Sequence, residues 1–557
     1  MRSAFAFFAL VVFLPSTIGL AQGVENQPII PAVCLDPAVS NEGVRCPPNP
    51  PMLLERSLTS HRNIKPRIRE ALQNIINSDV LNTADFGLSI VRASDGVTLA
   101  ESGADLLINP ASNAKLATSA AALALLKPEF RFKTEYYIKG RIKDGVLWGN
   151  LHIKGYGDPT VVSERLMRVA NELYLYGIER IRGNIVVDSS YFDANENARG
   201  WELEESPDRA YAAPVSATSL NYNAIAIHIR PGERGQPAVV RVDPPVDGVV
   251  LEGEVRTARW GRRLRIMTKA DKEGTSVQVS GAVGYRSPPH RWYRRVYDPA
   301  QYFGATLAYF LRQRGVKVNK TIRKGLVPQG ARLIHIDVSK RLTQVISDLN
   351  HYSNNFVAET LVKAIAAEAT GEPGSFHVGL ALMREYLEDE LGFVKGSYVL
   401  GNGSGLNDVN RLTARQTTTL LRAMANDFEI GTEFATSLAV AGTQGTVRNR
   451  MKRGAARRRI RAKTGTLRGV SALSGFVVTP QNEVLCFSIY TQGYHGSVRR
   501  VWKVQNAIGE VLASDGESWA PLIEDVELSM AVSSSGTSVS GTSVSGKSTE
   551  PQKGGNP

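Results

Sequence analysis

The sequence predicts an α+β protein whose outer domain takes strands from both ends of the chain and is split by a long β-rich insertion. Three observations predict it. Strand-like segments occur early, at Phe86–Val91 and Gly96–Ala100, and late, at Val470–Val478 and Glu483–Tyr490. Apolar residues recur at helical spacing from about Val338 onward, in Asn354–Glu368, His377–Leu391 and Ala414–Phe428. Between these blocks lies a run of short alternating segments.

The elements follow in order. Ser94-Asp95-Gly96 turns the first hairpin. After Asn109-Pro110-Ala111, an Ala/Leu-rich helix runs from Ser112 to Leu126, and Lys127-Pro128 stops it. Tyr136–Ile142 and Val146–Ile153 alternate around Asp144-Gly145. A helix at Glu164–Tyr176 and a strand at Asn184–Asp188 come next. Leu264–Thr268 and Ser276–Ala282 belong to a small separate β unit, and a helix returns at Gln301–Gln313. A last helix spans about Val498–Ala513.

The two ends stand outside this core. Arg2, the apolar run Ala4–Leu14 and the small residues Gly19-Leu20-Ala21 have the order of a secretory signal cleaved near Ala21. The run is shorter than the ~20 residues of a spanning helix. The protein is therefore expected in the periplasm, or otherwise exported, with no transmembrane helix after cleavage. Residues 22–51 read as a Pro-rich arm, and residues 526–557, with their Gly-Thr-Ser-Val-Ser repeat, as a disordered tail. Cys34 and Cys46 either form a disulfide or are unpaired thiols, and Cys486 reads as a core residue.

At 557 residues, 43% hydrophobic and 21% charged, the chain is an ordinary globular one. Its formal charge of +13 is compatible with an anionic cell-envelope polymer as partner. The densest basic stretch, Arg457-Arg458-Arg459-Ile460-Arg461, is either such a site or a solvated surface. No nucleic-acid motif accompanies it. The eight histidines do not pair with cysteines at ligand spacing, so no metal site and no cofactor are expected.

Three short motifs carry chemistry. Ser112-Asn113-Ala114-Lys115 puts a hydroxyl and an amine on one helix face. A serine needs a base to become a nucleophile, and a buried lysine with a lowered pKa supplies one. Ser353-Asn354-Asn355 opens a helix, and alone it would be an N-cap. Lys463-Thr464-Gly465-Thr466, read as leading into the strand at Val470, can hold a carboxylate, with the glycine admitting a substrate backbone. Each alone is weak. In this order and context they are the Ser-x-x-Lys, Ser-x-Asn, Lys-Thr-Gly trio of penicillin-binding proteins and class A β-lactamases.

From about Leu53 to Ser514 the chain resembles the class C low-molecular-mass penicillin-binding proteins, three-domain D-alanyl-D-alanine carboxypeptidases and endopeptidases. The matching segments include Asn109–Lys115, Gly149–Thr160 (GNLHIKGYGDPT), Gly401–Leu406 (GNGSGL), Ala441–Arg450 (AGTQGTVRNR) and Arg461–Gly475 (RAKTGTLRGVSALSG). The resemblance implies a penicillin-binding/serine β-lactamase-like transpeptidase-type domain, an antiparallel sheet flanked by helices, with two inserted β-rich domains. The expected division is 52–130 with 338–525 for the peptidase domain, 131–240 with 290–337 for inserted domain II, and 241–289 for the small domain III.

The resemblance also implies roles. Ser112 would attack the D-Ala–D-Ala carbonyl, with Lys115 as base. Ser353, helped by Lys463, would relay the proton to the leaving amine. Asn355 would hold the substrate amide, and Lys463, Thr464 and Thr466 the terminal carboxylate. The N–H groups of Ser112 and Thr466 would form an oxyanion hole. The substrates would be peptidoglycan stem peptides, with β-lactam antibiotics as covalent inhibitors.

Two departures stand out. Relatives often carry Arg where this chain has Asp408, and Gln or Asn where it has Arg468. Asp188 and Phe192 are the candidates for the opposite wall of a diamino-acid subsite. Arg468 is expected to take over carboxylate binding and Asp408 to pair with it, or the two form a surface ion pair of little energetic value. A β-lactamase shares the nucleophile. However, the 241 positions between Ser112 and Ser353 and the lack of a Glu-x-x-Leu-Asn segment favour the peptidase. A non-catalytic wall-binding protein would not need all three motifs.

Overall fold

The computed structural model describes residues 57–61, 64–206 and 208–514. The expected signal segment 1–21, the arm 22–51 with Cys34 and Cys46, and the tail 526–557 lie outside the described residues. Among the described residues, no helix is long and apolar enough to cross a membrane.

The outer domain is built in chain order from β1 (Thr59–Ser60), α1 (Pro66–Ile76), β2 (Asp85–Arg92), β3 (Thr98–Ser102) and α2 (Ala114–Leu126). It resumes after the insertion with α3 (Leu342–Tyr352), α4 (Asn355–Thr370), α5 (Phe376–Asp389), α6 (Ala414–Asn426) and α7 (Gly431–Ser437). It closes with β4 (Ala439–Val440), β5 (Ile460–Leu467), β6 (Val470–Val478), β7 (Val484–Gln492) and α8 (Val498–Ser514). The seven strands form one antiparallel sheet in the order β1-β3-β2-β7-β6-β5-β4. The first hairpin thus pairs with the last strand: Leu88 faces Ile489 and Ile90 faces Phe487.

Strand alternation divides the core into two layers. Leu485, Phe487 and Ile489 of β7 meet Leu72 and Ile76 of α1 and Val501, Ile508 and Val511 of α8. On the other face, Cys486 and Tyr490 meet the apolar sides of α2, α4 and α6. Cys486 is the buried core residue expected of it. Helix α1 was not expected, although Leu72, Ile75 and Ile76 make its buried stripe.

The insertion contains a larger sheet in which Lys133–Lys143 pairs with Val146–Gly155. Asp144 and Gly145 between them both take positive φ, 51° and 72°, as a type I′ hairpin requires. The helices Ser163–Leu175 and Pro299–Gln313 send their apolar faces into this unit's core. A three-stranded sheet follows, with Ala224–Arg230 between His290–Arg295 and Val239–Asp243. The expected division at residue 240 cuts through that last strand. The stretch Val249–Gly284 forms a four-stranded sheet. It was expected to be a separate unit, yet its Val255, Ile266, Val277 and Val279 belong to the same apolar cluster as Tyr136, Ile225 and Phe303. So short a segment has too little surface of its own to bury, and it completes its core against the neighbouring sheets.

Phe487 is fully buried in the central strand. Phe487→Ala is expected to destabilise the outer domain by about 3–5 kcal/mol, read as a lowered urea midpoint with an unchanged slope.

Candidate active site

The site begins with a strained turn. Ala111 has φ 45°, in the left-handed region that disfavours a side chain. Asn109 holds it there. Its Oδ1 accepts from Ala111 N–H at 2.8 Å, and its Nδ2 donates to Asn407 O and Asp408 Oδ1, each at 3.0 Å. Residues Ala111–Asn113 form a single 3-10 turn, and the α-helix starts only at Ala114. Ser112 therefore lies two residues before the helix in which the sequence placed it. It is half-exposed, while Asn113, Ala114 and Lys115 are buried.

Two close approaches shape this turn. Gly405 has φ 72°, and a Cβ there would lie 1.8 Å from Ala111 O. A Cβ on Gly465 would lie 2.7 Å from Pro110 O and 3.0 Å from Ala111 Cβ. The Gly465 side of β5 thus packs on the turn that carries Ser112. The glycine was expected to admit a substrate backbone; here it admits the turn that carries Ser112.

Lys115 is fully buried. Its Nζ lies 3.1 Å from Ser112 Oγ and 2.7 Å from Asn355 Oδ1, and it also donates to Ser404 O. Burial drives its pKa down, partly opposed by the Glu359 carboxylate, to about 7. The chemistry of the three neighbours then matters. Asn355 Oδ1 and Ser404 O can only accept, so a neutral amine spends both N–H groups on them. Its lone pair is left for the Ser112 hydroxyl, the only donor of the three.

The second motif sits at a joint between helices. Ser353 ends α3 with φ 57°, and Asn354 caps α4 by accepting from Val357 N–H at 3.2 Å. The capping role assigned by sequence thus falls to Asn354. Ser353 is held instead in a left-handed kink, where its Oγ accepts from Lys463 Nζ at 2.7 Å. The Asn355 amide is oriented from both sides, since its Nδ2 donates to Tyr211 O of the insertion at 3.2 Å.

The third motif lies on its own strand, β5, and not on the approach to Val470. The strand shows no simple alternation because Lys463 points inward and is fully buried. Burial lowers its pKa well below the usual lysine value, and the nearby Lys115 adds to this. Two-residue β4 pairs only with Arg461 and Ala462, so β5 has no strand partner on that side from Lys463 to Leu467. Thr464 Oγ1 lies 2.8 Å from Thr446 Oγ1, and Thr466 is exposed.

Sequence reasoning missed Glu359. It is fully buried and accepts from Ser404 N–H at 2.7 Å and Gly403 N–H at 3.2 Å, fixing the loop whose carbonyl meets Lys115. Burial raises its pKa, and these hydrogen bonds oppose the shift. The signal was available: Asn355, Glu359 and Lys363 follow one another at i, i+4 and i+8, a polar stripe on an otherwise apolar helix.

The expected diamino-acid subsite does not form as a unit. Asp188 is buried, with its oxygens accepting from Ser190 N–H at 2.9 Å and Val327 N–H at 2.8 Å. Phe192 is also buried, beside the fully buried Lys363 and beneath Gly157. Asp408 pairs with Arg411 at 2.7 Å, not with Arg468, because the Arg411 guanidinium is buried and requires a carboxylate. Arg468 stands 97% exposed, 3.8 Å from an equally open Glu205. Among the described residues, no group of three or more His, Cys, Asp or Glu could hold a metal ion.

The antiparallel sheet, the Ser–Lys pair at a helix start and the second serine–lysine pair facing it define a penicillin-binding/β-lactamase-like serine hydrolase. The sequence comparisons narrow the class. Residues 68–514 match the model of the D-Ala-D-Ala carboxypeptidase 3 (S13) family, and the chain belongs to that family. The chain is 32% identical over 475 residues to a D-alanyl-D-alanine carboxypeptidase of Actinomadura sp. (strain R39), covering 82% of this chain and 86% of that one. It is 26% identical to D-alanyl-D-alanine carboxypeptidase DacB of Haemophilus influenzae over 69% of this chain and 80% of that one. The crystal structure of penicillin binding protein 4 (dacB) from H. influenzae has the same fold, with a TM-score of 0.68 at 24% identity, covering 78% of this chain and 97% of that one. The protein is a serine peptidase of the D-Ala-D-Ala carboxypeptidase type.

A base must be unprotonated, so activity should require neutral Lys115. The kcat/KM for a D-Ala-D-Ala peptide is expected to fall as pH drops through about 7. Glu359→Gln removes the negative charge that raises the Lys115 pKa, so the same limb should move to lower pH. A limb unmoved by this change would show that Glu359 carries no charge there.

Proposed function

We propose that Ser112 is the acylated residue of a penicillin-sensitive D-alanyl-D-alanine carboxypeptidase acting on peptidoglycan stem peptides. The observation that carries this is the contact of Ser112 Oγ with a buried lysine whose two other neighbours can only accept. Lys115 takes the hydroxyl proton as Oγ bonds to the carbonyl carbon of the penultimate D-alanine. The C–N bond then breaks, and the proton held on Lys115 passes by way of Ser353, helped by Lys463, to the leaving D-alanine amine, which leaves Lys115 neutral again. Water hydrolyses the ester, returning Ser112 and the shortened peptide.

The unpaired edge of β5 suits a substrate backbone, which would add to the sheet as a further strand. The N–H groups of Ser112 and Thr466 serve the developing oxyanion. Thr464 and Thr466, with Lys463 behind them, receive the terminal carboxylate. Asn355 has one N–H on Tyr211 O and offers its other to the substrate amide. Cutting of cross-links as an endopeptidase would use the same steps on a D-Ala–diamino-acid bond. Export through the N-terminal segment would bring the enzyme to this substrate.

Fluorescent penicillin should label the wild-type protein and not Ser112→Ala, and D-alanine release from a pentapeptide should vanish in the same variant. Lys115→Ala should lower acylation by about 10²–10⁴. A wild-type protein that takes no covalent label would end this reading.

Arg468, at the turn that follows β5, is the remaining candidate for the diamino-acid carboxylate. Its exposed ion pair with Glu205 is weak enough to exchange for a substrate. Arg468→Ala is expected to raise KM only for peptides bearing the diamino-acid side chain. An equal rise for peptides lacking it would remove Arg468 from the subsite.

A further inference from the structure

A groove of about 710 Å³ opens beside the catalytic cleft. One end is formed by Ser353, Asn354 and Asn355, and the other by the three-stranded sheet of the insertion. We propose that this groove binds the amino-sugar strand to which the stem peptide is attached. The inference rests on the peptidase reading above, because it is the substrate peptide held at Asn355 that would lead its sugar into the groove.

The floor follows from the sequence of the central strand, Ala224–Arg230. Ile225, Ile227 and Ile229 point inward and are fully buried. Ala224, Ala226 and His228 form the other face. β-branched or aromatic residues usually cover a sheet face, so two alanines leave a depression one side chain deep. In register with Ala226 stand Tyr293 on one side and Asp243 on the other, and Arg291 stands opposite His228. Tyr293 is 51% exposed.

A strained turn adds a second aromatic wall. Asn221, Tyr222 and Asn223 take φ of 52°, 58° and 50° in succession. Asparagine tolerates this region, whereas a bulky residue such as tyrosine is rarely found there. The flanking asparagines impose it. Asn221 bonds Ser163 N–H and Oγ, and Asn223 bonds Pro214 O and Ser219 Oγ. The outcome is a tyrosine ring held at the groove's edge.

The chemistry of these walls selects the ligand. Tyrosine rings offer flat apolar faces with polar rims, which match the C–H faces and hydroxyl edges of a pyranose. Arg291 and Asp243 supply donors and acceptors for hydroxyl and acetamido groups. A second peptide is less well served, because both edges of Ala224–Arg230 are already paired and none is left for strand addition. An anionic polymer is also disfavoured, since Glu164 and Asp243 balance Arg291 in the lining. The volume lies within the ~300–1,000 Å³ of small-ligand sites.

The test compares two substrates of the full-length enzyme: a free pentapeptide, and the same pentapeptide on a GlcNAc–MurNAc tetrasaccharide. Binding of chitotetraose is followed separately by ligand-observed NMR. The wild type is expected to show kcat/KM about tenfold higher for the sugar-linked substrate, and to bind chitotetraose. Tyr293→Ala and Tyr222→Gly, the latter suited to its positive φ, should each abolish that gain and the binding while leaving the free pentapeptide rate unchanged. No gain in the wild type, a gain that survives both variants, or equal losses on both substrates would overturn the proposal. If neither substrate releases D-alanine, the peptidase reading fails. The groove is then judged on chitotetraose alone: binding lost in both variants supports it, and no wild-type binding overturns it.

Discussion

The active site depends on two lysines kept dry. Lys115 and Lys463 are each fully enclosed, and burial is the leading cause of both depressed pKa values. An ammonium group loses much of its hydration on such burial, so the charged form is disfavoured and the amine becomes available as a base. The neighbouring positive charge contributes further for Lys463. Much of the surrounding architecture serves to close these two pockets. The Gly403–Leu406 loop covers Lys115, and β5 brings Lys463 against the kink at Ser353.

Helix α4 links these parts. Its apolar sides lie in the core between α2 and α5, while Asn355, Glu359 and Lys363 form a buried polar line along one side. Asn355 orients Lys115, Glu359 ties down the loop above it, and Lys363 pairs with Asp193 of the insertion at 2.6 Å. A buried polar network of this kind is stable only when each member is satisfied. The insertion takes part, through the Tyr211 carbonyl on Asn355 and the Asp193 carboxylate on Lys363. It is therefore a wall of the site, and its outer sheet extends that wall into the tyrosine-lined groove.

Much of this was legible in the sequence. Apolar residues at helical spacing located α4, α5 and α6, Ala/Leu-rich composition and the Lys127-Pro128 stop located α2, and alternation around turn residues located the hairpins. Helix α1 went unread although its stripe was present. The strand β5 was obscured for a physical reason: it turns a lysine into the core, and Gly465 replaces an apolar side chain to let the Ser112 turn approach. Asp408 and Arg468 looked complementary by charge alone. A buried guanidinium three residues along, Arg411, has the stronger claim on Asp408.

The sequence by itself singled out Ser112, Lys115, Ser353 and Lys463 as the candidates for nucleophile, base, relay and anchor, because their types and order suit that chemistry wherever the chain goes. It also determined that a large insertion separates Ser112 from Ser353. Only the tertiary structure decided how deeply the lysines are buried, which carbonyls take their protons, and that Glu359 steadies the loop over Lys115. Those properties depend on solvent exclusion and on distances between segments hundreds of residues apart, to which local spacing is blind. The same holds for the groove beside Ser353, where alanines from one strand become a floor only when Tyr293 and Tyr222 are folded around them.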